Sequence, residues 1–168
     1  MSDIIYTERL ILNRLAPGQE AFVLELLNSE GWLRFIGDRN VRTLEEAAGY
    51  VEKIMASPNI RYWVITPKND PRPAGVVSLV KRDYLDHWDI GFALLPGFQG
   101  LHFAYESAMG VLKDAAATGK HTRFLATVMK ENTASIALLE KMGLQFEKEI
   151  QADVGPLQLY AASAHNYQ

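Results

Sequence analysis

Three apolar runs dense in β-branched and aromatic residues, Arg61 to Thr66, Ala74 to Lys81 and Trp88 to Leu95, follow one another across short polar turns. Runs of this length and composition are strands, and turns such as Asn69-Asp70-Pro71-Arg72-Pro73 and Arg82 to Asp86 fold them back as an antiparallel meander. From Phe103 the period changes. Ala104, Ala108, Val111, Leu112 and Ala115 recur at helical spacing up to Gly119, and Arg123 to Met129 reads as another strand. A chain that passes from strand through helix to strand by short connections is committed to one crossover and to a layer of helix on sheet.

The flanks extend this frame. Arg9 to Leu15 predicts an opening strand, and Pro17 predicts the first turn of a helix bearing Phe22, Val23, Leu26 and Leu27. Gly31 to Gly37 is too punctuated to assign. Thr43 with Glu46 three residues on forms a capping box for a helix with apolar positions at Leu44, Ala47, Tyr50, Val51, Ile54 and Met55, stopped by Pro58. Asn132 caps a last helix with inward face Ile136, Leu139 and Met142, Gly143 ends it, and Leu144 to Ile150 pairs with Leu157 to Ala161. The expected order is β-α-α-β-β-β-α-β-α-β-β, a mixed α/β (α+β) fold with a mostly antiparallel sheet. No linker or repeat divides it, so a single domain over residues 1–168 is expected.

Composition narrows the chemistry. With no cysteine among 168 residues, thiol nucleophiles, zinc thiolates and iron–sulfur clusters are excluded. A formal net charge of −3 gives no basic field for nucleic acid. No long apolar run is present, and Asp3, Glu8 and Arg9 interrupt the amino-terminal stretch, so neither a spanning helix nor a secretory leader is expected and the cytoplasm is the default. His87, His102, His121 and His165 lack ligand spacing, so no metal is expected, and neither a Gly-x-Ser-x-Gly elbow nor a Walker loop occurs.

Two segments carry candidate chemistry. Gln99-Gly100-Leu101-His102-Phe103-Ala104 lies between a strand and the helix after it. It offers successive amide donors, a glycine permitting close backbone approach and a small Ala104, a loop suited to a pyrophosphate; the alternative is a plain strand-to-helix turn. In the second segment, Asn132 to Leu144, Asn132 and Ser135 sit at the N-cap and N3 positions, where each either caps the helix or meets a ligand.

Together and in order, these segments resemble the GCN5-related N-acetyltransferase (GNAT) superfamily, and within it the ribosomal-protein amino-terminal acetyltransferase (RimJ/RimL-like) group. The resemblance spans about Thr7 to Ala161. It takes in Thr7-Glu8-Arg9-Leu10-Ile11-Leu12, Thr43-Leu44-Glu45-Glu46-Ala47 and Asp89-Ile90-Gly91-Phe92-Ala93-Leu94-Leu95-Pro96, and is most specific over Asn132 to Gly143. The family loop has the form Gln/Arg-x-x-Gly-x-Gly/Ala; Gln99 and Ala104 match its ends, and His102 stands where the middle glycine belongs.

The resemblance implies an acetyl-CoA-dependent N-acetyltransferase with splayed middle strands, Trp88 to Leu95 and Arg123 to Met129, between which the cofactor lies. It implies pyrophosphate binding by Gln99, Gly100, Leu101, His102, Phe103 and Ala104. Backbone around Phe92, Ala93 and Leu94 would pair with the pantetheine arm, and Asn132 and Ser135 would stand beside the cofactor. An amine attacks the thioester directly. Asp89 is the candidate base, through a water; its alternative is a cross-strand ion pair. Many family members carry a tyrosine at the position of Leu139, which cannot donate a proton, so Ser135 is the hydroxyl expected beside the sulfur. An α-amine, with a pKa near 7.7 to 8.0 against about 10.4 for lysine, asks less of a base. The expected acceptor is a primary amine, either a peptide amino terminus or a small amine, in a monomer or homodimer. A non-catalytic acyl-CoA-binding module is the reading from another class. Trp32, Phe35 and the stretch Arg82 to His87 are placed at the acceptor pocket, while Glu106 is expected to be a structural partner.

Overall fold

An eight-stranded sheet in the order β1-β2-β3-β4-β5-β6-β8-β7 runs through the computed structural model, which describes all 168 residues. The meander predicted from period-two runs is its centre: β3 (Ile60–Pro67), β4 (Gly75–Val80) and β5 (Asp89–Leu94) pair antiparallel in sequence. β2 (Leu10–Arg14) joins the free edge of β3, and β1 (Ile4–Tyr6) closes that side. Sequence periodicity does not find β1, because three residues are too few to express an alternation.

Helices cover the faces. α1 (Glu20–Leu27) begins three residues after Pro17, which does not set its first turn: the chain first turns through Gly18 at φ 99°. The unassigned stretch forms a short helix, α2 (Glu30–Phe35), followed by α3 (Leu44–Ala56). The Thr43 hydroxyl accepts from the Glu46 amide at 3.1 Å, while the Glu46 carboxylate reaches back to the Arg42 amide, one residue earlier than in the usual capping box. α4 (Phe103–Ala116) is the crossover predicted between β5 and β6 (Arg123–Val128), and its Ala108, Val111, Leu112 and Ala115 are buried beneath the sheet. Glu106 accepts from the Thr7 hydroxyl, the Arg9 amide and the Arg9 guanidinium, tying α4 to the β1–β2 hairpin as a structural partner.

α5 (Thr133–Lys141) ends in two carbonyl-capping bonds, from the Gly143 amide to the Glu140 carbonyl and from the Leu144 amide to the Leu139 carbonyl, both 3.0 Å. That geometry needs the left-handed backbone which Gly143 adopts at φ 95°. β7 (Gln145–Ala152) and β8 (Gly155–Ser163) complete the sheet as an antiparallel hairpin, with a bulge between Phe146 and Lys148, and β8 lies along β6. No helix is long and apolar enough to cross a membrane.

One close approach holds β5 in place. At Gly75, opposite Leu94, a Cβ would run into the Ala93 carbonyl oxygen and come within 2.8 Å of Leu94 Cα. Backbone cannot yield there without moving β5. Gly75→Ala is therefore expected to cost about 2–3 kcal/mol, a drop of roughly 5–10 °C in Tm for a chain of this size; an unchanged thermal melt would contradict this packing.

Candidate active site

β5 and β6 run parallel, yet their register contains one pair, Asp89 with Leu125, supported by a 2.9 Å bond from the Leu125 amide to the Trp88 carbonyl. Beyond it the strands separate. Backbone polarity alternates along a strand, so this bond places the even-numbered residues of β5 toward β6 and the odd-numbered ones toward β4. Phe92 and Leu94 thus present main-chain groups to the open seam. Ala93, expected to share in that role, instead turns its main chain to β4, where it pairs with Val76, although the residue is among those that line the cleft. Thr127 faces the seam from β6 by the same alternation.

Because β5 and β6 are parallel, the helices that follow them, α4 and α5, both begin at the same end of the seam. At the start of α4 none of the amides from Gly100 to Tyr105 donates to an acceptor in the protein, and no side chain caps the helix. Gln99 to His102 are exposed, whereas Phe103 and Ala104 are buried against the sheet. Gly100 and His102 both take left-handed backbone, at φ 79° and 64°. His102 therefore holds the conformation that its glycine counterpart would favour, which aims successive N–H groups outward as an anion cradle. The fit to a diphosphate rests on these free donors and on the positive end of the α4 dipole.

At the start of α5 the Asn132 carboxamide oxygen accepts from the Ser135 amide at 3.3 Å, so capping employs the acceptor end of that side chain. The Ser135 hydroxyl is half-buried, borders the cleft and has no partner in the protein. Leu139 is buried one turn further on and adds an apolar floor without a proton to give.

Asp89 lies 2% exposed at the closed end of the seam. Its Oδ2 accepts from Arg82 Nε at 2.7 Å and from the Thr127 hydroxyl at 3.1 Å, whereas Oδ1 takes part in neither bond. Burial pushes its pKa above the ordinary 3.8, against the opposing pull of Arg82 and Thr127. The ion pair expected as its alternative role is present, but with Arg82 of the β4–β5 connection and not across two strands, and one carboxylate oxygen is left over.

The strand and α5 parts of this neighbourhood border one cleft of about 420 Å³. Asp89, Phe92, Ala93, Asn132 and Ser135 line it; Leu94 and the loop from Gln99 to Ala104 stand outside its walls. Trp32 and Phe35 line it as expected, and so do Arg82 and Tyr84, though His87 does not. Sequence reading missed Arg39, Tyr62, Ser78 and Asp153. Each is a lone polar residue on a separate element, with no motif around it. The Tyr62 hydroxyl, 3.3 Å from that of Tyr50, has its pKa raised well above 10.0 by burial and then by Tyr50, so it stays protonated.

A sheet with an opened parallel seam, a helix N-terminus of free amides at its end and a lined cleft beside it is an architecture suited to an extended ligand that ends in an anionic group. The family model for the acetyltransferase (GNAT) domain matches residues 9–145, and the chain belongs to this family. Its fold superposes on a GNAT-family acetyltransferase from Bacillus anthracis with TM-score 0.81 and 22% identity, covering 96% of this chain and 99% of that one. RimL, a ribosomal-protein alpha-N-acetyltransferase in complex with coenzyme A, superposes with TM-score 0.83 at 21% identity over 95% and 97%. Spermidine N-acetyltransferase from Vibrio cholerae, in complex with CoA and spermine, gives 0.80 and 18% over 95% and 98%. At such identities the likeness carries the fold. No curated protein matches the chain significantly.

Removing Arg82 would strand a buried carboxylate. Breaking a fully buried pair costs about 3–5 kcal/mol; because the Arg82 side chain is 36% exposed, about 2 kcal/mol is expected for Arg82→Ala near neutral pH. A raised carboxylate pKa favours the fold while protonated and loses that advantage as pH climbs through the folded value, so the deficit should shrink toward pH 4. Denaturant melts across that range check the trend; a pH-independent deficit would contradict it.

Proposed function

We propose that this protein transfers the acetyl group of acetyl-CoA to a primary amine held in the cleft, by direct attack in a ternary complex, with a peptide amino terminus as the preferred acceptor class and a small amine as the near alternative. The observation that carries the reading is the unbonded run of amides from Gly100 to Tyr105 at the end of an open seam whose β5 edge is also free. Acetyl-CoA supplies an activated thioester carbonyl; what remains is for this chain to bind, orient and move protons.

The amides of Gly100 to Ala104 receive the diphosphate, with Gln99 at the edge of the loop. Phe92 and Leu94 continue the sheet along the pantetheine, and a seam-facing N–H of β5 stabilises the charge that builds on the thioester oxygen. The carbon–nitrogen bond forms as the carbon–sulfur bond breaks. The amine proton leaves through a water to Asp89 Oδ1, the oxygen free of Arg82 and Thr127, and the departing thiolate receives a hydrogen bond from Ser135. With a leaving-group pKa near 8.5, that hydroxyl orients and assists without having to be a strong acid. Structural similarity to RimL and to spermidine N-acetyltransferase supports both acceptor classes.

Release of CoA thiol with a panel of peptides and small amines tests the function. Turnover with at least one acceptor is expected, and thermal stabilisation by acetyl-CoA with no turnover on any would return a binding module instead. Ser135→Ala is expected to lower kcat by about 10- to 100-fold with little change in KM for acetyl-CoA. Asn132→Ala removes a cap, costs about 1 kcal/mol and mainly weakens cofactor binding. Unchanged rates in both variants would remove this helix end from the chemistry. As Asp89 is active only when ionised, kcat/KM should fall at acid pH with an apparent pKa above 3.8, and Asp89→Asn should abolish that limb.

His102 already holds the left-handed backbone, and its side chain is exposed. Acetyl-CoA affinity of His102→Gly should therefore stay within about threefold of the parent. A gain of tenfold, about 1.4 kcal/mol, would show that the imidazole obstructs the phosphates.

A further inference from the structure

The outer wall of the cleft contains a donor that the proposed reaction leaves unused. Trp32 is 4% exposed and lines the cleft, and its indole Nε1 is the one buried side-chain polar atom in the molecule without a hydrogen-bond partner. An indole N–H can only donate, and a buried donor left unpaired is costly, so this position favours an incoming oxygen. Beside it stands Arg39, exposed, lining the same cleft, with its guanidinium over the Trp32 ring at 5.8 Å from the centroid. The ion pairs of the structure use Arg9, Arg14, Arg42, Arg72, Arg82 and Arg123, and Arg39 is in none of them. The other cationic residue of the cleft, Arg82, is neutralised by Asp89. Asp153, exposed in the β7–β8 turn, is the remaining carboxylate in the lining and does not pair with Arg39.

We propose that the acceptor amine carries a carboxylate, which the Trp32 indole N–H and the Arg39 guanidinium receive while the amine reaches toward Ser135 and Asp89. The inference rests on the cleft being the acceptor site of the transferase reading. A polyamine brings only donors and positive charge to this wall, where it meets one donor and one cation; a carboxylate brings acceptor lone pairs and negative charge to both. Nε1 is screened from bulk water in this structure, so the contact forms with an adjustment of the wall, where the Arg39 side chain over the indole ring is exposed and held by no ion pair. The carboxylate comes either from an acidic side chain early in a peptide or from a free amino acid.

Acetylation rates separate these cases when peptides beginning Ser-Asp and Ser-Asn with amidated carboxy termini, free alanine and alaninamide, and spermidine are compared on the intact protein with acetyl-CoA. The expected result is a kcat/KM at least tenfold higher for the carboxylate-bearing member of one pair, with spermidine poorer still. The conservative variants Trp32→Phe and Arg39→Gln should each bring that ratio to within about threefold of one, chiefly through KM. Arg39→Gln changes an exposed residue, so the test survives if Trp32→Phe folds poorly. A second readout is independent of turnover: the Trp32 indole ¹H–¹⁵N resonance of the CoA-saturated protein, assigned by its loss in Trp32→Phe, should move downfield on titration with the carboxylate-bearing compound and not with its amide. Equal rates for acid and amide, efficient spermidine acetylation, or an unmoved indole resonance would overturn the carboxylate site. An indole shift without turnover on any compound would uphold the site and overturn the transferase reading.

Discussion

Everything chemical in this protein depends on two parallel strands that stop pairing. β5 and β6 share a single register pair at Asp89 and Leu125 and then diverge. Unpaired strand edges inside a sheet are costly, because each leaves main-chain donors and acceptors without partners. Here they face an opening that can admit an extended ligand, which completes the sheet in place of the missing strand. The same divergence fixes where the next helices start, so the free amides of α4 and the Asn132–Ser135 end of α5 belong to one neighbourhood although about thirty residues of chain separate them.

The closed end of that seam is held by charge. Asp89 is buried, paired to Arg82 from the β4–β5 connection and bonded to Thr127 from β6. These contacts span the point where the strands part, so the carboxylate serves the architecture and borders the cleft at the same time. Two oxygens make that dual role possible: Oδ2 takes both bonds, leaving Oδ1 for a water or an amine proton. In the proposed reaction a single group is thereby asked to be both anchor and base, and its raised pKa is the physical trace of the burial that the first task demands.

Much of the fold is legible in the sequence wherever a period is long enough to be expressed. The meander, the crossover helix and the glycine that ends α5 all follow from residue spacing. The three-residue β1 and the six-residue α2 do not, since neither completes enough of a period, and the entry to α1 is decided by a turn at Gly18 and not by Pro17. For the site, the loop and the α5 end are legible because each is a contiguous segment with a local reason for its residues. The rest of the cleft wall is not: Arg39, Tyr62, Ser78 and Asp153 come from different elements, and only tertiary packing brings them to one surface. Ala93 illustrates a finer limit, since which residues of β5 face the seam depends on a register that the sequence does not print.

Amide hydrogen–deuterium exchange on the protein with and without acetyl-CoA tests the central claim directly, because it reads the very donors that the seam and the α4 start leave open. Strong protection of Gly100 to Tyr105 together with Phe92 and Leu94 on β5, against little change at the β1 and β7 edges, is the predicted result. Tight cofactor binding with those amides exchanging as fast as before would place the ligand elsewhere and contradict the account.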